Sequence, residues 1–277
     1  MPLPVPVFDH AVINVRDGLD EAAALWARLG FTLTPRGHHT LGSSNHLAVL
    51  GTDYLELLGV QPGNARTDVL DWPAGLNGLA FKTFDADATH GGLHAAGLPA
   101  MPVQAFSRPV ETPGGTQDAA FRTVRMERDS APMGRVFLCQ HLTPGLVWCD
   151  DWRRHANGAL GILRFVVAAE DPAGPASLLS RMFGGDAVPP RDSGASMAAG
   201  LARVDVLAPG ALREEFGGAA PAADGRKAWM AALTLRTASL DRAAAALHAG
   251  GVAHVRGPAS LVVPASELGG MTLMFQE

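Results

Sequence analysis

The sequence is poor in cysteine and contains no long uncharged stretch. Its 277 residues include only two cysteines, Cys139 and Cys149, which form no zinc-type C-x-x-C pair, so a disulfide framework does not hold this fold. No window approaches the ~18 uncharged apolar residues of a membrane helix. The opening MPLPVPVFDH lacks the basic start and the apolar run of a secretory signal. We therefore expect a cytoplasmic protein without a membrane-spanning segment.

The sequence also lacks the motifs of several common enzyme classes. It has no G-x-S-x-G, no G-x-x-x-x-G-K-[ST], no H-E-x-x-H and no strand-linked G-x-G-x-x-G, which disfavours serine hydrolase and nucleotide chemistry. The net charge of −5 gives no electrostatic reason to expect nucleic acid or an anionic membrane as a partner. Hydrophobic residues make up 47% of the chain, enough for a large core. We expect a small-molecule partner.

The chain repeats a helical pattern. An Asp precedes an Ala/Leu-rich stretch that ends ten residues later at a Gly, and this happens at 20–30, 87–97 and 241–251. The pattern is typical of a helix with an acidic first turn and a glycine at its end. A strand precedes each helix, and ILRFVVAAEDP at 162–172 predicts a fourth copy with its helix at 175–183.

Short apolar runs separated by turn residues follow the helices, so each unit is predicted to have the order β-α-β-β-β. The four units begin near residues 8, 78, 162 and 229. We expect a long insert in the second unit, at 102–122, and we identify only RVDVL as a later strand of the third. The polar stretch 147–159 separates two halves.

The segments FDHAVINVRD, ALWARLGF and RGHHTLGSSNHLAVLGTDYLELLGV resemble the first module of the vicinal oxygen chelate superfamily. The last segment is most similar to the superfamily's glyoxalase-like domain branch. Glyoxalase I, extradiol dioxygenases and bleomycin-resistance proteins belong to this superfamily. The resemblance implies an α+β fold of four βαβββ modules in two paired half-barrel units. Residues 1–150 would form the first unit and residues 160–277 a degenerate second unit.

The resemblance also implies a divalent metal inside the half-barrel. Up to four side chains hold it, one from the first strand and one from the last strand of each module, and it polarises two oxygens of the substrate. His10 matches the first-strand ligand, and alternation predicts a shared strand face for Phe8, His10, Val12 and Asn14. The alternative for His10 is a hydrogen-bonded core histidine.

Glu56 matches the last-strand ligand of the first module. It stands in YLELL, and a carboxylate among leucines is costly to bury unless it is paired or binds a metal. Exposure at a sheet edge is the alternative. A three-residue loop at 51–53 would pair Ala48 with Glu56 and His46 with Leu58. His46 would then reach the cavity as an acid–base group, unless it is a solvated strand-end histidine.

Other candidates complete the predicted site. Tyr54 is a substrate-pocket residue and a proton-transfer candidate, whereas His38 and His39 fall in a turn-rich loop and are expected to be solvated. In the second module Gly78 replaces the first-strand ligand. On the last strand, His141 is the better metal ligand chemically, and Gln140 is the alternative or a pocket residue.

The choice between Gln140 and His141 depends on the strand register. Counting back from Pro144 against Pro62 places Leu138 opposite Glu56, which favours Gln140 as the same-face group. In the second half the ligand positions are lost, with Arg164, Ala232 and Met274 in their place.

Two functions from different classes follow from these residues. The first is a metal-dependent lyase, isomerase or dioxygenase, with Fe, Mn, Ni or Zn held by His10, Glu56 and His141, and with Glu56 and His46 as catalytic groups. The second is a metal-free small-molecule binding protein of the bleomycin-resistance type, which the missing second-module ligand favours. The sequence leaves the oligomeric state open, and a homodimer is one option.

Overall fold

Two eight-stranded sheets form the fold. The computed structural model describes residue 3 and residues 5–61, 63–64 and 66–277. The first sheet contains β1 (Phe8–Arg16), β2 (Gly37–His38), β3 (Ser43–Val49), β4 (Tyr54–Val60), β5 (Gly75–Lys82), β6 (Gln104–Thr112), β7 (Gly115–Arg125) and β8 (Arg135–His141). Its helices are α1 (Leu19–Arg28), α2 (Thr67–Leu70) and α3 (Ala86–Ala95).

The second sheet repeats this arrangement. It contains β9 (Ala159–Ala169), β10 (Pro190–Arg191), β11 (Gly194–Ala199), β12 (Ala202–Leu207), β13 (Ala228–Thr237), β14 (Val255–Arg256), β15 (Leu261–Val263) and β16 (Thr272–Gln276). Its helices are α4 (Ala173–Phe183), α5 (Pro209–Phe216) and α6 (Leu240–Ala249).

The order of strands is the same in both sheets, β2-β3-β4-β1-β5-β8-β7-β6 and β10-β11-β12-β9-β13-β16-β15-β14. The prediction of an α+β fold with four βαβββ modules in two paired units is confirmed. The expected insert at 102–122 is wrong, because these residues form most of the regular β6–β7 hairpin. The third unit also has two later strands, β10 and β11, that the sequence did not reveal.

The repeating Asp lies in the first turn of its helix and is not the capping residue. Asp85 caps α3 by accepting a hydrogen bond from the Ala88 backbone N–H, and Ser239 does the same for α6 with Arg242. The later Asp of each repeat, Asp87 in α3, adds a negative charge beside the exposed N–H groups of the first turn, which stabilises the helix dipole.

The two sheets pack against each other through a shared core. The Phe8 and Phe165 rings lie 6.0 Å apart, and the Phe81 and Phe183 rings lie 4.9 Å apart. The first sheet ends at His141 and the second begins at Ala159. Whether residues 1–150 and 160–277 are separate domains stays a prediction. In the described part of the chain, no helix is long and apolar enough to cross a membrane.

A bulge in β1 corrects the predicted strand face. The pairing of β1 with β5 shifts between Phe8 and His10, so the two side chains lie on opposite faces of the sheet. Phe8 packs into the shared core, while Val12 belongs to a separate apolar cluster on the other face. That free face of the first sheet carries the candidate site.

Candidate active site

The free face of the first sheet encloses a cavity. Its walls combine apolar side chains from β3, β4, β6, β7 and β8 with four arginines, two histidines and Glu56. The first-module candidates His10, Tyr54 and Glu56 all line this cavity. The strand register explains this, because β1 and β4 run parallel with His10 beside Tyr54 and Val12 beside Glu56.

His10 and Glu56 face each other inside the cavity. His10 Nε2 lies 3.7 Å from Glu56 Oε2, and both side chains are buried. The imidazole of His10 stacks on the Tyr54 ring at a centroid distance of 4.3 Å, and the Phe137 ring contacts it edge-on at 5.4 Å. These rings exclude water from one side of the imidazole and fix its plane.

The other nitrogen of His10 is held by Asp9. His10 Nδ1 lies 2.6 Å from Asp9 Oδ2, and His141 Nε2 lies 2.9 Å from the same oxygen. Asp9 has no exposed surface, and burial alone would raise the pKa of its carboxyl. The hydrogen bonds from His10 and His141 outweigh burial and hold the pKa well below its usual value. Asp9 is therefore ionised, and both imidazoles donate to it.

Glu56 is also ionised. Asn45 Nδ2 donates to Glu56 Oε1 at 2.7 Å, and His39 Nε2 lies 3.9 Å from that oxygen. Burial would raise the pKa of Glu56, but the nearby His10 and His39 and the Asn45 hydrogen bond lower it below its ordinary value. The cavity therefore holds a buried carboxylate.

His39 is a site residue that the sequence did not reveal. The expectation of a solvated side chain is wrong: His39 is buried, lines the cavity and pairs its Nδ1 with Ser43 Oγ at 2.8 Å. Burial lowers the pKa of His39 to about 4. The β2 strand beside it has only two residues, too few to show an alternating pattern.

The predicted pairing of β3 with β4 is wrong by one residue. Val49 pairs with Tyr54 and Leu47 with Glu56, so Asn45 shares the Glu56 face and His46 points away from it. His46 Nδ1 instead bonds the Thr34 carbonyl at 2.8 Å. The structure does not bring His46 into the cavity.

The last strand of the second module also differs from the prediction. Ala80 of β5 pairs with Phe137 of β8, which makes Phe137 and not Leu138 the counterpart of Glu56. Gln140 points to the start of α3, where it accepts from the Ala86 N–H and donates to the Phe84 carbonyl. Gln140 therefore lies outside the cavity walls, and His141 lies behind His10.

These positions decide which residues could hold a metal. At the four ligand positions implied by the fold, only His10 and Glu56 offer donors, because Gly78 and Phe137 occupy the other two. Gly78 is packed so closely that an added Cβ would come within 2.5 Å of the Val12 Cβ. The predicted set His10, Glu56 and His141 does not surround one point, because Glu56 lies at Nε2 of His10, whereas His141 bonds Asp9, which lies at Nδ1 of His10.

Asp9, His10 and His141 form a second arrangement, here called the rear cluster. In the described residues it is the one set of three His, Cys, Asp or Glu side chains whose ligand atoms all lie within 4.8 Å of one another. Asp9 Oδ1 and His141 Nδ1 are buried without a hydrogen-bond partner. Two imidazoles and a carboxylate suit divalent transition metals, so His10 belongs to two candidate metal positions.

The second sheet has an ion pair at the matching place. Val166 of β9 pairs with Asp205 as Val12 pairs with Glu56, so Arg164 and Asp205 occupy the positions of His10 and Glu56. Arg164 bonds both Asp205 and Glu215. Arg164 stands at the His10 position, as the sequence indicates, but Asp205 places a carboxylate at the Glu56 position that the sequence analysis did not identify.

Comparisons with known proteins give a family match and several structures with a similar fold. The profile of a family described as "Glyoxalase-like domain" matches residues 8–183. No curated protein matches the sequence. A hypothetical protein from Staphylococcus aureus matches at TM-score 0.70 and 12% identity, over 98% of this chain and 99% of that chain.

Two further solved structures with a similar fold are named as enzymes. A triple mutant of 4-hydroxymandelate synthase from Streptomyces coelicolor matches at TM-score 0.62 and 15% identity, over 99% of this chain and 92% of that chain. A xylose isomerase-like TIM barrel/4-hydroxyphenylpyruvate dioxygenase fusion protein matches at TM-score 0.56 and 13% identity, over 100% of this chain and 50% of that chain. Identities this low show a shared fold alone. The predicted vicinal oxygen chelate architecture is confirmed.

Proposed function

The chain belongs to the Glyoxalase-like domain family, and from this premise we propose that the cavity of the first sheet is the active site of a metal-dependent enzyme. The observation that carries the proposal is that both ring nitrogens of His10 face a carboxylate. Its Nδ1 is held by a fully buried, ionised Asp9, and its Nε2 lies 3.7 Å from Glu56 in the cavity. A carboxylate behind a histidine is the usual support of a metal-bound imidazole.

His10 and Glu56 would hold the metal from the cavity side. His39, the other histidine of the cavity wall, has its Nε2 3.9 Å from Glu56 Oε1 and would be the third donor. Mixed imidazole and carboxylate donors suit Fe(II), Mn(II), Ni(II) or Zn(II). Such an ion would supply Lewis-acid polarisation of two neighbouring substrate oxygens.

The chain's own side chains would prepare this site for proton chemistry. Because ionised Asp9 only accepts hydrogen bonds, His10 carries a proton on Nδ1, and the singly protonated ring would present its Nε2 lone pair to the cavity. Glu56 would accept a proton from a substrate carbon or hydroxyl, since it is ionised and buried. The Tyr54 and Phe137 rings would shield the reacting atoms from water.

The reaction class within this proposal spans lyase, isomerase and dioxygenase chemistry. The two named structural neighbours are a 4-hydroxymandelate synthase and a 4-hydroxyphenylpyruvate dioxygenase fusion. Dicarbonyl, catechol and 2-oxo acid compounds are therefore the first to screen, with and without dioxygen.

A second candidate function is metal-free binding of a small molecule. A specific observation favours it: Gly78 and Phe137 remove both second-module donors, and Arg135 adds a positive charge to the same cavity. His10 and Glu56 would then be hydrogen-bonding groups for a ligand.

Metal content separates the two candidates. Elemental mass spectrometry on protein never exposed to chelator should give near one equivalent of a transition metal, lost in His10→Ala and Glu56→Ala and reduced in His39→Ala. His254→Ala in the second half, whose Nδ1 bonds a backbone carbonyl, is the matched histidine control and should keep the metal.

Two results would contradict the proposal. Metal kept in Glu56→Ala but lost in His141→Ala would place the ion in the rear cluster, away from the cavity. A folded wild type that takes up no Fe(II), Mn(II), Ni(II) or Zn(II) after reconstitution would refute the metal-dependent enzyme and leave the binding protein.

A further inference from the structure

Four arginines and one glutamate line the cavity, and this charge is the basis of a further inference that rests on the cavity being the substrate site. We propose that the bound molecule carries an anionic oxygen group, a carboxylate or a phosphate, held by Arg108 and Arg135. Both arginines line the cavity, from β6 and β8 respectively.

The charges in and around the cavity do not balance. Arg66 and Arg125 both pair with Asp68, which neutralises one of them. Glu56 is the other carboxylate in this count, because Asp9 behind His10 is balanced by Lys82, whose Nζ lies 3.9 Å from Asp9 Oδ1. Four guanidinium groups therefore face two carboxylates, and two positive charges remain when the histidines are neutral. A divalent metal beside Glu56 would increase this excess.

Arg108 and Arg135 have no carboxylate partner. Within the described ranges, no Asp or Glu oxygen lies within 4.0 Å of a guanidinium nitrogen of either arginine. Arg108 is only 4% exposed, and its Nε has no hydrogen-bond partner. Arg135 donates one long bond, 3.3 Å, to the Asn77 carbonyl, and its Nη2 is buried and unbonded.

Guanidinium groups without a partner in such buried surroundings are unfavourable. Burial lowers the pKa of Arg135 to about 10 and also lowers that of Arg108. A guanidinium group nevertheless keeps its proton at neutral pH in proteins. A buried charge is normally paired or hydrogen-bonded. A ligand that brings an anionic oxygen group would supply the missing partner, and guanidinium is suited to carboxylate and phosphate oxygens.

The rest of the cavity fits an apolar body. The Phe106 and Phe121 rings stack at a centroid distance of 5.2 Å, and Phe137, Leu47 and Leu58 add further apolar wall. Apolar atoms contribute more of the cavity surface than polar atoms do. The ligand class is therefore a small molecule with an anionic oxygen group on an apolar body.

Isothermal titration calorimetry on metal-free protein tests this directly. The probes are phenylphosphonate, phenylacetate and, as the neutral analogue, benzyl alcohol. The wild type should bind at least one anion about tenfold or more tighter than the alcohol, since a charge-assisted hydrogen bond contributes about that much. The phosphonate and carboxylate arms identify which anion is preferred.

Variants at the two arginines give the second readout. Arg108→Met and Arg135→Met should each lose about tenfold or more in anion affinity, while the midpoint of unfolding of the empty protein stays equal or rises. Arg122→Met is the matched control, because Arg122 pairs with Asp87 on the surface and should bind anions as the wild type does. Arg108→Lys keeps the charge and should keep part of the affinity.

Equal affinity of the wild type for anions and alcohol, or no anion binding below about 10 mM, would overturn the proposal. So would methionine variants that bind anions normally and are less stable, because that result gives the arginines a structural role. If a methionine variant does not fold, the wild-type comparison and Arg108→Lys still decide. The titrations use metal-free protein, so an absent metal would refute the enzyme proposal without touching this one.

Discussion

Asp53 gives the sharpest prediction about stability. It lies in the turn between β3 and β4, is only 4% exposed, and both carboxylate oxygens lie 3.2 Å from the backbone N–H of Ile162 in the second sheet. Burial raises the pKa of Asp53 from 3.8 to about 7, despite that hydrogen bond and the nearby Lys82. The ionised carboxylate is therefore poorly stabilised at the contact between the two sheets.

The sign of the effect follows from proton linkage. The unfolded chain loses the Asp53 proton near pH 3.8, whereas the folded protein keeps it until about pH 7. Stability therefore falls as pH rises between these values and is level above them. At about 1.36 kcal/mol per pKa unit, the full loss is about 4 kcal/mol.

Asp53→Asn should remove this loss and keep the hydrogen bond, because the amide oxygen can accept from Ile162. Urea unfolding should show the variant equal to the wild type within about 1 kcal/mol at pH 4 and more stable by about 3 to 4 kcal/mol at pH 8. The exposed Asp118→Asn is the control and should show no such trend. Parallel pH profiles for Asp53→Asn and wild type would refute the reasoning.

Other predictions address the site. Because the pKa of His39 is lowered from 6.5 to about 4, the wild type should lose up to about 3 kcal/mol as pH falls through that range, and His39→Gln should flatten this part of the urea profile. Gly78→Ala should destabilise the protein by about 1 to 3 kcal/mol, measured by urea unfolding, because its Cβ would clash with Val12; an unchanged midpoint would contradict the packing. Asp9→Asn should weaken metal binding by about 10- to 100-fold in a competition titration, since His10 loses its ionised partner; unchanged affinity would argue against Asp9 as the support of a ligand.

The modules could be predicted because their signals are local. The helices α1, α3 and α6 each have an acidic first turn and a glycine after their end, so a window of about ten residues is enough to place them. Glu56 could also be found locally, since a carboxylate between leucines is chemically conspicuous. The chain order β-α-β-β-β of each module was inferred from the repeat, whereas the pairing of modules into half-barrels was implied by the resemblance.

The site was harder because it depends on pairing between strands. The loop between β3 and β4 is one residue longer than expected. His46 therefore lies on the face away from the cavity, and Asn45 lies on the same face as Glu56. The bulge at Asp9 turns its carboxylate towards two imidazoles, and no pattern along β1 alone contains that information. Arg108 was missed because residues 102–122, which were predicted to be an insert, form most of a regular hairpin that contributes to the cavity wall.

The ion pair of Arg164 with Asp205 has a consequence for how the molecule assembles. The second sheet carries its balancing cation as part of the polypeptide, so it is electrically complete once it has folded. In the first sheet the charges left unpaired are the cations Arg108 and Arg135, so under our proposal a bound anion would complete its cavity. Because the two sheets share one hydrophobic core, the second sheet stabilises the first through that core. The two copies of the fold can therefore have different roles: the second sheet would maintain the scaffold, and the first sheet would bind a small molecule.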